Sequence, residues 1–342
     1  MRYFLLFVLI LIPIWAEKRI ECVGATDEYT AVLTRQGISL KSVNADWKEL
    51  GEKFRKDRSR LGKLKRKLLG EKPVAWDADV QKLVFMNIPP HLFRDYAIRQ
   101  LPREKLILFM WEPLMHSRKM YNKNLHDCIG RVYTWDDDLV DNIHYFKFHY
   151  PVLTPMLPGI PSFKEKKFCT LISGFHPHKN FAEKYPNELY SERRKAALFF
   201  DQVGETGFDL YGRGWDPAIY RTYRGTIPDK LAVLKNYRFS ICYENCQHVK
   251  GYITEKIFDC FAAGVVPVYW GASNITDYIP KGCFIDRREF ATLDELYAFL
   301  KQMDESEFNG YLERIAAYLK SDEALVFSRD HFDKLFVEAM VE

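Results

Sequence analysis

The stretch from Phe239 to Gly271, FSICYENCQHVKGYITEKIFDCFAAGVVPVYWG, constrains this chain more than any other. A short apolar run, Phe239 to Tyr243, ends on the polar pair Glu244 and Asn245. After a polar loop, Thr254-Glu255-Lys256 opens a segment with apolar residues at Ile257, Phe258, Phe261 and Ala262. That spacing is helical, Thr254 is suited to the N-cap, and Gly264 is a natural stop. Val265 to Trp270 is a second apolar run. The pattern is strand, loop, helix, strand: one parallel crossover unit. In such sheets ligands sit beyond the carboxyl ends of the strands, where helix N-termini turn free N–H groups toward anions. Asn245, Tyr252, Glu255 and Lys256 gather at that place, a set that suits a sugar nucleotide. An ordinary buried crossover with solvated end residues fits the local pattern equally, because fold alone does not give function.

The 342 residues are enough for two domains with proper cores. An apolar fraction of 47% with 28% charged residues is that of a soluble globular protein, and a net charge of +4 calls for no nucleic-acid partner. At the N-terminus, Arg2 precedes an apolar run from Tyr3 to Ala16, short of the about 20 residues that span a bilayer as a helix. Residues 1–16 read as a signal peptide or membrane-targeting segment, with Ala16 as a cleavage position; Pro13 counts against a buried first strand. The seven cysteines are odd in number and include no CxxC pair, so they support neither a disulfide framework nor a zinc site.

Two halves follow. In residues 17–150, strands are expected at Ile20–Thr26, Leu83–Asn87, Lys105–Met110 and Arg131–Trp135, with helices at Thr30–Gly37, Asp46–Lys72 and Phe93–Gln100. The basic helix Asp46–Lys72 carries a Leu61, Leu64, Leu68 face and docks on a core or lies on an anionic membrane. The strand through Met110 ends in Trp111-Glu112-Pro113. A carboxylate there faces an interdomain cleft, and partial burial against Trp111 would raise its pKa toward that of a general base. Asp136, Asp137 and Asp138 read as a helix start or a loop beside an acceptor, since consecutive acids rarely converge on one metal ion. His144, His149 and Tyr150 read as core or cleft wall.

Proline-rich residues 151–162 read as a linker. In residues 163–325 strands are expected at Phe168–Ser173, Phe208–Tyr211 and Phe284–Asp286 beside the opening pair, with helices at Glu188–Val203, Ile227–Tyr237, from a Thr292/Glu295 capping box to Leu300, and at Ser306–Lys320. Gly212-Arg213-Gly214 closes the strand at Phe208–Tyr211. Its glycines let the backbone approach a ligand while Arg213 reaches phosphate oxygens, with Arg221 and Arg224 as alternatives. Asn274-Ile275-Thr276 is a glycosylation sequon, expected to be unused so near the site. Residues 326–342, with a helix at Arg329–Val341, are expected to pack back on the first half.

YENCQHVKGYITEK followed by AAGVVPVYWG resembles the signature of the α-1,3-fucosyltransferases, glycosyltransferase family ten, over about thirty residues. Weaker similarity runs from about Leu83 to Phe290. Two departures are Cys246, where the family has a small hydroxyl residue, and Glu112-Pro113, where it has Glu-Ser-Pro. The resemblance implies an α/β fold of GT-B architecture: two facing Rossmann-like domains with parallel sheets and a cleft between them. It implies GDP-fucose as donor, bound through Asn245, Tyr252, Glu255 and Lys256. Lys256 and Arg213 would hold the diphosphate, Glu255 sugar hydroxyls, and Tyr252 the pocket wall. Glu112 would act as catalytic base in an inverting transfer that needs no divalent metal ion or other cofactor. The acceptor would be a glycan, at the 3-position of N-acetylglucosamine. Its setting would be a membrane or the secretory pathway: Golgi-type in a eukaryote; membrane, periplasm or cytoplasm in a bacterium. A GT-B transferase for another sugar nucleotide and a catalytically silent carbohydrate- or nucleotide-binding protein are the competing readings.

Overall fold

Two parallel sheets organise the chain. The computed structural model describes residues 19–23, 39–42, 82–87, 102–176, 181–204 and 207–341. The expected segment at residues 1–16 and the helices at 30–37, 46–72 and 93–100 lie outside the described residues. The first sheet has the order β2-β1-β3-β4-β5-β6, from β1 (Arg19–Val23), β2 (Ser39–Ser42), β3 (Lys82–Met86), β4 (Leu106–Met110), β5 (Arg131–Thr134) and β6 (Tyr145–Lys147). The second runs β11-β10-β9-β7-β8, from β7 (Lys167–Ile172), β8 (Phe208–Tyr211), β9 (Tyr237–Tyr243), β10 (Val266–Trp270) and β11 (Ile285–Asp286). The helices are α1 (Lys123–His126), α2 (Phe181–Lys184), α3 (Tyr190–Gln202), α4 (Lys230–Leu234), α5 (Glu255–Ala262), α6 (Leu293–Gln302), α7 (Glu305–Tyr318) and α8 (Arg329–Val341).

All-parallel sheets need cover on both faces, so their strands are apolar on both sides. In the first sheet, Val84, Ile107 and Phe109 point to one face, where α8 lays Phe332, Phe336, Ala339 and Met340 on them. Leu83, Phe85, Leu106, Leu108 and Met110 point to the other. The chain's last helix therefore covers its first sheet. In the second sheet, Phe239, Ile241 and Tyr243 of β9 meet Ala196, Ala197 and Phe200 of α3 and Leu296 and Leu300 of α6. On the opposite face Cys242 and Tyr269 meet Ile257, Phe258 and Phe261 of α5.

The opening motif forms as its pattern requires. Phe239 through Tyr243 pair in parallel with Val266 through Trp270, and α5 crosses between them. Thr254 caps α5 by accepting from the Lys256 N–H. Gly264 ends the turn at φ +61°, and a side chain there would run into Ile160 of the proline-rich segment at 2.7 Å. That contact, with Leu157 N–H donating to Ala262 O at 2.8 Å, seats the proline-rich segment on the helix end.

Differences from expectation are local. β2, SLKS, has one apolar residue, and β6, YFK, is three residues long; neither was expected as a strand. At α6, Thr292 Oγ accepts from Glu295 N–H at 3.1 Å, but the Glu295 carboxylate takes the Ala291 N–H instead of closing the box. The reciprocal box is at Asp304 and Glu307 of α7. Cys128, Cys169, Cys242, Cys246, Cys260 and Cys283 are free thiols. No helix among the described residues is long and apolar enough to cross a membrane.

Candidate active site

A cavity of about 890 Å³ opens where the carboxyl ends of the two sheets face each other. Glu112 and His116 enter it from the segment after β4. Ser173 and Gly174 enter after β7, Gly212 and Arg213 after β8, Asn245 after β9, and Glu255 and Lys256 from the first turn of α5. Arg193 of α3 and Lys230 of α4 complete a wall rich in positive charge. This is the place where α/β sheets bind ligands, and helix N-termini add to its pull on anions.

The wall from the second sheet is built on a buried carboxylate. Glu244 is fully buried and accepts from Thr254 N–H at 2.9 Å and from its hydroxyl at 2.8 Å. Lys256 Nζ lies 3.0 Å from Glu244 and 3.4 Å from Glu255. The Glu-Asn and Thr-Glu-Lys motifs are thus one network that pins the helix start to the strand end. Burial would raise the Glu255 carboxyl pKa, but the ammonium groups of Lys256 and Lys230 outweigh it and hold it below the usual range. At Lys230, burial opposes the charged form, yet the Asp259 carboxylate 2.7 Å away lifts its pKa.

Arg193 differs from both lysines. It is buried, and it donates to Tyr243 O at 2.6 Å, Ser173 Oγ at 3.2 Å and Asn245 Oδ1 at 3.0 Å. Those acceptors are neutral, and no carboxylate pairs with Arg193 among the described residues. Its charge therefore acts on the cavity uncancelled. Sequence reading passed over it because it sits mid-helix in a run of charged residues, where a solvated role is the ordinary one. The glycines beside Arg213 are required by geometry: at Gly212, φ is +132° and a Cβ would lie 2.0 Å from Ser173 O.

On the facing wall, Asn87, with φ 69°, accepts through Oδ1 from the backbone N–H groups of Trp111 at 2.8 Å and Glu112 at 3.2 Å. This anchor for Glu112 carried no signal in the sequence. Pro113 O then accepts from His116 N–H at 2.9 Å, a turn that brings His116 back over the cavity. Its Nε2 lies 2.6 Å from Tyr190 Oη and 3.3 Å from Asn245 Nδ2, joining the two walls. Burial lowers the His116 pKa; Glu112 opposes the shift, while Lys256 and Arg193 add to it.

Two of the three acids, Asp137 and Asp138, join the halves. The Asp137 carboxylate binds Lys147 of its own half and, across the interface, Asn274 Nδ2 at 2.9 Å and Tyr278 Oη at 2.7 Å. Asp138 pairs with Lys250 at 2.7 Å. Gly251, at φ +76°, is forced by this approach, since a Cβ would meet Trp135 O at 2.3 Å. Asn274 Nδ2 also donates to Asp277 at 3.1 Å, so the sequon amide is engaged in the interface. Among the described residues no group of three or more His, Cys, Asp or Glu side chains could hold a metal ion.

Of the expected site residues, Glu112, Arg213, Asn245, Glu255 and Lys256 line one cavity. Four expectations need correction. Glu112 is exposed rather than partly buried against Trp111. Tyr252 is buried behind the cavity, where it packs at a tilt against Trp135 and accepts from Asn245 at 3.2 Å, so it supports the wall without forming it. Arg224 is tied at 2.7 Å to Asp209 and lies outside the cavity. Arg221 lies outside it as well.

Residues 161–320 match the model of glycosyltransferase family 10 (fucosyltransferase) C-term. The chain is 31% identical over 99 residues to the alpha-(1,3)-fucosyltransferase FucT of Helicobacter pylori, covering 29% of this chain and 20% of that one. It is 32% identical over 155 residues to the 4-galactosyl-N-acetylglucosaminide 3-alpha-L-fucosyltransferase 9 of Rattus norvegicus, covering 45% and 37%. The chain thus spans well under half the length of these relatives. A crystal structure of an alpha1,3-fucosyltransferase with GDP-fucose superposes with a TM-score of 0.54 at 14% identity, over 95% of this chain and 91% of that one. The fold is GT-B, as its two facing parallel sheets require. Residues 161–320 of this chain are therefore similar to the C-terminal domain of glycosyltransferase family 10, the fucosyltransferase family.

Proposed function

We propose that this chain is an inverting fucosyltransferase that moves L-fucose from GDP-fucose to a hydroxyl of a glycan acceptor. The observation that carries the reading is Glu112, facing Arg193, Lys256 and Arg213 across one cavity. The diphosphate lies against Arg193 and Lys256, with Arg213 at the exposed rim. Asn245, held by Arg193, and Glu255 bind hydroxyls of the ribose or the sugar. Glu112 takes the acceptor hydroxyl proton as that oxygen bonds to the anomeric carbon from the face opposite GDP. The bond from that carbon to the phosphate oxygen breaks, and GDP leaves with its electron pair. A β-linked donor thereby gives an α-linked product. Cations set in place before the reaction offset charge growing on GDP, and the base lowers the barrier to attack.

The relatives' names support an α-1,3 linkage to an N-acetylglucosamine-containing glycan. The apolar run at residues 3–16 supports a place at a membrane or in a secretory pathway. A hydrolysis and binding screen over GDP-fucose, GDP-mannose and UDP-sugars tests the donor. Selective turnover of GDP-fucose is expected. Preference for another nucleotide sugar refutes the fucose assignment, and binding of all without turnover refutes the enzyme.

A further inference from the structure

His116 belongs to no motif that the sequence singled out, yet it sits where the two halves of the site meet. Its tautomer follows from its neighbours. Arg193 can only donate, so the Asn245 oxygen faces Arg193 and the Asn245 amide nitrogen faces His116. That Nδ2 also donates to Tyr252 Oη at 3.2 Å. Facing a donor at 3.3 Å, His116 Nε2 accepts, and its one lone pair is shared between that amide and the Tyr190 hydroxyl at 2.6 Å. A neutral imidazole then carries its proton on Nδ1. Burial favours that neutral form most, and Lys256 and Arg193 add to it by repelling the imidazolium, against Glu112, which favours the charged ring. Other rings against it are Tyr190 and His176, at 6.0 and 6.4 Å between centroids.

Nδ1–H is therefore a donor whose ring is held from the far side, with no protein acceptor among the described residues. The residue lines the cavity together with Glu112 and Lys256. Under the reading above, a point between the base and the diphosphate cations is where the transferred sugar must lie. We propose that His116 contacts the transferred sugar, donating from Nδ1–H to one of its hydroxyl oxygens while Nε2 holds Asn245 and Tyr190 in place. This inference rests on the proposed function, and it assigns to the first domain a share in choosing the donor sugar.

The test compares GDP with GDP-fucose by calorimetry on the full chain, for wild type and His116→Ala. A donor that touches only the sugar predicts GDP affinity within about twofold of wild type and GDP-fucose affinity about tenfold weaker, the loss of one hydrogen bond of about 1.4 kcal/mol. Retained GDP binding also reports that the donor domain is folded. Should the alanine variant lose GDP binding, His116→Gln, which keeps an acceptor toward Asn245, is judged by the same split. Equal loss for both ligands in both variants, or unchanged GDP-fucose affinity with a lower kcat, overturns the proposal. Wild-type protein that binds GDP but not GDP-fucose refutes the donor reading itself, a result separable from a variant that keeps the wild-type ratio.

Discussion

Three cations face the proposed donor cavity from within, and their partners differ. Lys256 shares its charge with Glu244 and Glu255, and Lys230 with Asp259. Among the described residues Arg193 meets neutral oxygens and the Tyr190 ring, and no carboxylate. An anion entering the cavity therefore gains most from Arg193, whose planar fork also matches two phosphate oxygens. Arg193→Ala should weaken GDP binding by about 10- to 100-fold, the range of a charge-assisted hydrogen bond. Lys256→Ala should weaken it less. Calorimetry that ranks them in reverse order would make Lys256 the principal cation. Sequence alone could not rank them: the Thr-Glu-Lys motif advertises Lys256, whereas the position of Arg193 depends on how α3 packs against β9. The same holds for Asn87, which reaches Glu112 from a neighbouring strand 25 residues away.

At the scale of elements, the parallel strands were legible because buried strands must be apolar on both faces. Phe208–Tyr211 and Arg329–Val341 have the expected ends, and the other strands of the second sheet shift by a residue or two. The edge strands of the first sheet, β2 and β6, were not legible, whereas β8 and β11 at the edges of the second were. The helix α5 is held by Ile257, Phe258 and Phe261, all essentially inaccessible to solvent. Phe258 packs on Phe327 at 4.8 Å and Phe261 at 5.9 Å between ring centroids. Phe258→Ala should cost about 3–5 kcal/mol, the cost of deleting a buried aromatic ring. Because α5 begins with Glu255 and Lys256, nucleotide binding should weaken in parallel. A chemical-denaturation midpoint near that of the wild type would mean that the site is held by the Glu244 network alone.

For the whole molecule, the cleft depends on how the two halves are joined, which sequence could not reveal because the contacts pair residues more than a hundred positions apart. Asp137 is the centre of that joint. Burial would raise its carboxyl pKa, but Lys147, Asn274 and Tyr278 together hold it below the usual value. A depressed folded pKa adds stability that is full above the ordinary carboxylate pKa of about 3.9 and is lost as pH falls through the folded value. Asp137→Asn should thus lower the thermal midpoint at pH 7, with a cost of about 1.5–3 kcal/mol, and the gap to wild type should narrow only below about pH 3.9 and close as pH falls past the lowered folded value. A gap independent of pH would remove the charge of Asp137 from the joint.

The central claim is that one reaction is divided between the halves, with the base on the first and the donor cations on the second. Glu112→Gln tests it most directly, through GDP-fucose affinity and turnover measured on the same preparation. Glu112 is exposed, and its backbone is held by Asn87, so the substitution should leave the site's shape intact. The expected result is donor affinity within about twofold of wild type and turnover reduced by about 100-fold or more. Full turnover in the glutamine variant would contradict the account.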